Sequence, residues 1–400
     1  MNDIYYDPFD FEIDANPYPV WKRMRDDAPL YRNEKYDFWA LTRFADVKAA
    51  LHDWRTYSSA RGSVLEVIKS GVEIPRGNIL FEDPPAHDLH RGLLARVFSP
   101  RRMAAIEPEA RAYCARSLDP LVGKGGFDFI ADLGSQMPMR VIGMLLGIPE
   151  QDQEAIRDQI DAGMNLDAGE MPDAEGQRAR HGRGAGSFGV DAYADYIAWR
   201  RENPADDLIT ELINARFVDE SGVERNLADD ELIAYIGLLS AAGNETTTRL
   251  IGWLGYLLDK YPEQRQLLVE NPQLVASAVE EALRFEAPSP VQARYVMQDV
   301  EHYGTRVPEG SVMLLINGAA SRDEREYADA DRFDIRREAN HLSLGYGIHF
   351  CLGNALARIE GRVALEEVLK RWPEWQVDHN NAKMARTSTV RGWESLPAFI

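Results

Sequence analysis

The chain has 400 residues, 45% hydrophobic, 10% aromatic and 28% charged, an ordinary balance for one large or two average globular domains. Its net charge of −20, from 45 Lys and Arg against 65 Asp and Glu, argues against nucleic acid as the main partner, because phosphate binding needs a concentrated basic surface. No apolar run reaches the roughly 20 residues that cross a bilayer, and two distant cysteines, Cys114 and Cys351, suggest neither a disulfide framework nor a thiolate zinc site. The acidic, aromatic start MNDIYYDPFDFEID does not read as a secretory signal or an Arg-rich transit peptide. A cytoplasmic protein without a membrane anchor is expected.

In chain order, residues 20–26 read as a helix, 29–41 as strand and 44–51 as a helix. Residues 57–84 mix Gly, Ser and apolar side chains without a clear period and read as a loop. Asp83-Pro84-Pro85-Ala86-His87 then opens a helix on which His87 and Arg91, four apart, share a face. Residues 127–146 read as one helix. Residues 168–189 are rich in Gly, Ala and charge and hold the string Gly184-x-Gly186-x-x-Gly189. A dinucleotide fingerprint needs a strand before it, and EGQRARHGR is not one, so the segment reads as a flexible connection. A long central helix over 227–260, a helix over 274–285 and strands at 291–297 and 311–316 follow. No repeat or linker divides the chain. One mainly helical domain of this size calls for a second organiser, and a buried cofactor would serve.

The densest chemistry lies in LGYGIHFCLG, residues 344–353. After Cys351, Leu352, Leu356, Ile359 and Val363 fall on one helical face, so the sulfur sits at or just before a helix N-terminus. Free N–H groups and the helix dipole favour a thiolate there. Gly345, Gly347 and Gly353 remove bulk beside the sulfur and suit a backbone pressed against a flat partner. A thiolate haem ligand meets these conditions, although on one cysteine alone a free thiol in a glycine-rich turn before a helix is the better reading. The string Ala242-Gly243-Asn244-Glu245-Thr246-Thr247, midway along 227–260, is locally unfavourable in a helix. Threonine hydroxyls there can bond back to carbonyls and open a groove, into which Glu245 and Thr246 can pass protons, although by itself the string reads at least as well as an ordinary helix whose polar face meets here. Glu281 and Arg284, at i and i+3, read by themselves as a surface pair.

Gly345 to Gly353, followed by Ala357-Arg358-Ile359-Glu360, resembles the haem-binding loop of the cytochrome P450 superfamily, most closely its soluble bacterial members. The other motifs occur in the family's order, so the likeness spans nearly the whole chain. It departs at Leu344, where the family usually has Phe, and at Ser321, where Asn is common. The resemblance implies the P450 fold: mainly α with a smaller β region, a single large domain over 1–400 enclosing haem b (iron protoporphyrin IX). The haem-binding loop would be 341–353. Cys351 is then the axial ligand of the haem iron. His87, Arg91, Arg294 and His349 hold the propionates, and Ala242, Gly243, Leu344, Gly345 and Gly353 complete the haem contacts. Thr246 steadies bound oxygen and Glu245 relays protons. Glu281 and Arg284, with Arg332 as third member, form a buried ion network behind the loop.

The activity implied is haem-thiolate monooxygenation: one oxygen atom of O2 enters an apolar small molecule, typically at a C–H bond, and the other leaves as water. No flavin or iron–sulfur module is legible, so by resemblance electrons from NAD(P)H arrive through a separate reductase and ferredoxin. Arg91, Arg96, Arg101, Arg102, Arg358 and Arg362 would form the basic docking patch. Segments 57–84 and 168–189 are expected to frame substrate access, with Val64, Leu65, Val67 and Ile68 from the first. Ala241, Ala242, Ser289, Pro290, Val291, Thr389 and Val390 are expected wall positions. A peroxygenase would be expected to replace the Glu245–Thr246 pair, and a haem-thiolate sensor needs neither the pair nor a lid; both rank behind the monooxygenase.

Overall fold

Thirty-two residues without a proline form the helix Asp229–Lys260, on which much of the chain packs. Glu231 fixes its start: Oε2 accepts the Ala228 N–H at 2.8 Å, satisfying a donor that the helix itself cannot. Tyr235, Ile236, Leu239, Leu250, Leu254 and Leu257 are all buried, the pattern of a helix enclosed by others. Helices Met137–Leu146, Ala192–Glu202, Val275–Phe285 and Asn354–Arg371 pack against it. At Gly255 the approach is so close that a Cβ would lie 2.7 Å from the Phe129 ring. The computed structural model describes residues 4–74, 76–166, 169–172, 192–387 and 389–400.

The smaller β region centres on a five-stranded sheet in the order Leu30–Asn33, Phe38–Leu41, Val312–Leu315, Gln292–Val296, Tyr57–Ser58. Phe38–Leu41 and Val312–Leu315 run parallel, and the other pairs are antiparallel. Val312 and Leu314 face a core containing Phe9 and Trp21, while Met313 and Leu315 face Phe44 and Val47 on the other side. A strand alternates its side chains, so an unbroken apolar run such as VMLL fits a strand covered on both faces. Antiparallel pairing sets Arg294 opposite Met313.

Several elements differ from the sequence reading. Residues 29–41 are two strands, because Asp37 at φ 53° turns the chain between Asn33 and Phe38. Residues 127–146 are not one helix. Gly126–Asp128 pairs with Pro397–Phe399, Asp128 caps a wide helical turn over Phe129–Gly134, and helix Met137–Leu146 starts afresh with Pro138 in its first turn. Pairing with a distant C-terminal strand overrides the local helical pattern. The 57–84 segment contains helix Leu65–Ser70 besides the strand Tyr57–Ser58. Of 168–189 only residues 169–172 are described, so the Gly184–Gly189 string lies outside the described residues. Among the described residues no helix is long and apolar enough to cross a membrane.

Candidate active site

A cavity of about 260 Å³ opens between the central helix, the 344–353 loop and the sheet. Ala242, Gly243, Thr246 and Thr247 line it from the helix, Leu344, Gly345, His349, Cys351 and Gly353 from the loop, and Gln292 and Arg294 from the sheet. The loop keeps its shape through backbone bonds. The Cys351 N–H donates to the Leu344 carbonyl at 2.8 Å, and Asn354 Nδ2 donates to the Cys351 carbonyl at 2.8 Å. Gly345 and Gly347 have φ of 74° and 72°, a region costly for other residues. At Gly347 a Cβ would also lie 2.7 Å from the Leu51 carbonyl oxygen, so only glycine fits. Gly353 differs: its φ is −80° and a Cβ would meet no protein atom within 4 Å. What keeps that position bare is the cavity it faces rather than the protein's own packing.

Burial raises the Cys351 thiol above its usual range, against the pull of the Gly353 N–H and of Arg91 and Arg358. The helix terminus expected to favour a thiolate is therefore outweighed by desolvation, and a coordinated metal cation is what deprotonates such a sulfur. The imidazoles of His87 and His349 lie edge to face at 4.6 Å between centroids, and the Nε2 of each is buried without a partner. Arg294 is 4% exposed, and among the described residues its guanidinium donates to the neighbouring Ala293 carbonyl alone. Arg91 donates to the Phe350 carbonyl at 2.5 Å. Burial first, then Arg294, His87 and Arg91, push the His349 imidazole down to about 2. Orphaned donors on a basic wall suit a buried anion, and the haem propionates are such anions. With the sulfur and the bare Gly353, these residues fit haem. His87 is packed behind His349 and is not itself in the cavity wall.

Thr246 is in the wall, its hydroxyl donating to the Ala242 carbonyl at 2.9 Å. Glu245 is not: it is 2% exposed and paired with Arg249 at 2.6 Å. Burial opposes its charge, but the surrounding groups, Arg249 first among them, outweigh burial and hold the carboxylate below its usual range. Another acid went unassigned in the sequence. Glu360 lines the cavity, is 1% exposed and leaves Oε1 without a partner; burial raises its carboxyl well above the usual range, against a bond from Thr247. Its signal was an acid among the apolar residues on the buried side of helix Asn354–Arg371.

Glu281 and Arg284 form a fully buried bidentate pair at 2.7 and 2.8 Å, not a surface pair. The third member is corrected. Arg332 is exposed and offers only its carbonyl to Arg284, at 3.2 Å, whereas the guanidinium that reaches Glu281 is that of Arg337, at 3.4 Å. Among the expected substrate positions, Ser289 and Ala242 are in the cavity wall. Ala241 is buried but off the wall. Pro290, Val291, Thr389 and Val390 line a separate, much smaller recess beside Trp21 and Arg391, where Arg391 is paired with Glu286 at 2.5 Å. Val64 and Leu65 are also off the wall, as are Val67 and Ile68, which pack around Gly62; Leu65 faces the core with Trp21, and Ser63, Ile79 and Leu80 line the cavity from that segment instead. In the expected basic patch, Arg102, Arg358 and Arg362 are paired with Glu211, Glu280 and Glu107, while Arg96 and Arg101 are exposed.

The sequence profile described as Cytochrome P450 matches residues 193–392. A putative cytochrome P450 123 of Mycobacterium tuberculosis is 36% identical, covering 100% of this chain and 97% of its own length. A vitamin D(3) 25-hydroxylase of Pseudonocardia autotrophica is 34% identical over 99% of this chain and 96% of its own. The solved structure of a mutant of P450 EryK in complex with erythromycin B superposes with a TM-score of 0.87 at 30% identity, covering 98% of each chain. The chain therefore belongs to the cytochrome P450 family and is a haem-dependent monooxygenase.

Proposed function

We propose that this enzyme hydroxylates an apolar small molecule at a C–H bond, with electrons from NAD(P)H delivered by a separate reductase and ferredoxin. One observation carries the reading: the Cys351 sulfur and the Thr246 hydroxyl share a cavity whose other walls include Ile79, Ile142, Leu238, Leu239 and Leu250. Haem, bound through Cys351, supplies dioxygen binding and cleavage of the O–O bond. The chain's own residues do the rest. Arg91, Arg294 and His349, with His87 behind it, hold the propionates and set the orientation of the ring. Thr246 offers a hydroxyl on the cavity side by releasing the Ala242 carbonyl, and Glu245, held as the carboxylate by Arg249 at rest, takes up protons and passes them on. The aliphatic wall binds the substrate and excludes water.

The names of the relatives support an apolar substrate of substantial size, a vitamin D hydroxylase and an erythromycin complex being among them. Arg96 and Arg101 support the electron-donor reading as exposed cations next to helix Asn354–Arg371, against which Pro100–Ala104 packs. The reduced, CO-bound protein should show the red-shifted Soret band of thiolate ligation, and Cys351→Ala should lose it. A folded wild-type protein without that band overturns the proposal. A panel of apolar ligands followed by the spin-state spectrum identifies the substrate class. Electron transfer from a ferredoxin should slow as salt rises, and a salt-independent rate removes the basic patch.

A further inference from the structure

Segment 77–82 separates the cavity from solvent. Ile79 and Leu80 line the wall, and Leu80 is also 40% exposed. One carboxylate closes this segment on itself: Glu82 Oε1 accepts the Gly77 N–H at 2.8 Å. The same carboxylate meets His90 on helix Ala86–Ala95, whose Nδ1 lies 2.9 and 2.7 Å from Oε1 and Oε2. A carboxylate has only acceptors, so Nδ1 is the donor. The other ring nitrogen, Nε2, faces a second carboxylate, Glu231 Oε1, at 3.8 Å, beyond hydrogen-bond reach. His90 is 1% exposed, with the Phe217 and Tyr235 rings edge to face against it at 6.0 and 5.9 Å between centroids.

The groups around His90 leave the second contact to its own charge. Glu231, in the first turn of the central helix, is ionised: burial raises its carboxyl, but Arg225, at 2.6 and 2.8 Å, and the Ala228 N–H outweigh burial. Arg225 is shared with Asp219 at 3.1 Å, and Arg76, 4.0 Å from Glu231, is bonded to Glu220 at 3.0 Å. Burial, Glu82 and Glu231 push the Tyr235 phenol well up, so it stays neutral. With Nδ1 committed to Glu82, a neutral ring turns its Nε2 lone pair toward Glu231, and the two repel. A protonated ring carries a second N–H and attracts that carboxylate.

We propose that protonated His90 is a latch that holds the 77–82 mouth segment, through Glu82, to the start of the central helix, and that loss of its proton to water frees the mouth. This rests on the monooxygenase reading above, in which an apolar substrate fills the cavity behind the segment. The charged ring favours the held segment, so the held segment favours the proton. The mouth is therefore fixed below the imidazole's titration and released as pH rises through it. His90 is not in the cavity wall. It is a positioning residue that acts on Ile79 and Leu80 through Glu82.

Hydrogen–deuterium exchange of the ferric holoenzyme tests this, read as protection of the 77–82 amides against the same peptide unfolded at each pH. Wild type should lose about tenfold in protection from about pH 6 to 8.5, the range that includes ordinary imidazole titration. His90→Leu should show low protection that does not vary with pH. Glu82→Gln keeps an acceptor for Gly77 but offers His90 no charge, and should flatten the profile as well. In the reduced protein, recombination of photolysed CO from solvent should accelerate as protection falls. Wild-type protection that does not change with pH overturns the proposal, as does an equal loss in His90→Leu or a CO rate that ignores the change. If His90→Leu does not fold, the wild-type profile and its flattening in Glu82→Gln decide the matter. The CO spectrum separates the two levels: a wild type without thiolate ligation fails the monooxygenase reading, whereas an intact spectrum with pH-independent protection fails only the latch.

Discussion

Replacing Arg284 by Met removes one half of an ion pair in which both side chains are 0% exposed. Glu281 would keep only the Asp334 N–H at 3.0 Å and the more distant Arg337 at 3.4 Å. The Ser321 and Ala330 carbonyls, each bonded to Arg284 at 2.9 Å, would lose their donor. Breaking one side of a buried pair costs about 3–5 kcal/mol, since the remaining charge is left without compensation. Unfolding entropy of about 2.1 cal/mol/K per residue makes roughly 0.8 kcal/mol/K for a chain of 400 residues, so the melting temperature should drop by about 4–6 °C. Circular dichroism melts of the holoenzyme measure it, with the CO spectrum followed in parallel. The double change Glu281→Leu with Arg284→Met leaves no buried charge between the two positions and should recover part of the loss. A single variant melting within about 1 °C of wild type would refute the view that this pair holds the structure behind the loop.

Thr246→Ala removes the cavity-side hydroxyl and should raise peroxide release relative to product; unchanged coupling takes Thr246 out of proton delivery. Gly347→Ala forces a side chain into a φ of 72° and against the Leu51 carbonyl, so about 1–3 kcal/mol of strain should loosen the loop. Haem transfer to an excess of an apo-haem protein should accelerate, and an unchanged transfer rate would show that the loop tolerates the methyl. Burial pushes the Glu280 carboxyl up, but the nearby His341 and the bonds from Arg358 outweigh it and hold it at about 2, below the ordinary 4.5. A depressed carboxyl stabilises the fold above the unfolded value and loses that contribution as pH falls through the folded one. Wild type should therefore lose stability relative to Glu280→Gln between about pH 5 and 2, read from urea midpoints; parallel midpoints across that window contradict it.

The loop around Cys351 and the helix 229–260 were legible because their signals are local. Left-handed glycines, a cysteine before a helical face and a long apolar period are written in adjacent residues. Arg332 and Arg337 could not be told apart in the same way. Both lie in one basic stretch, and only the turn that exposes Arg332 and directs Arg337 at Glu281 chooses between them. Residues 127–146 carried a helical pattern, yet a strand nearly 270 residues away claimed the first of them.

The side chains that carry charge divide in the same manner. Short strings in a fixed order along the chain carried the resemblance, and through it the expectation that a thiol, a threonine, an acid and four basic groups share one haem site. Tertiary structure alone decided which of them face the cavity. Glu245 and Thr246 are neighbours in the chain but differ by a helical step of about 100°, enough to leave the hydroxyl in the wall and turn the acid to Arg249. Val390 and Pro290, apolar and in the right region, line another recess beside Trp21 and Arg391. Residue type is local information; the face a side chain presents is settled by what packs against it.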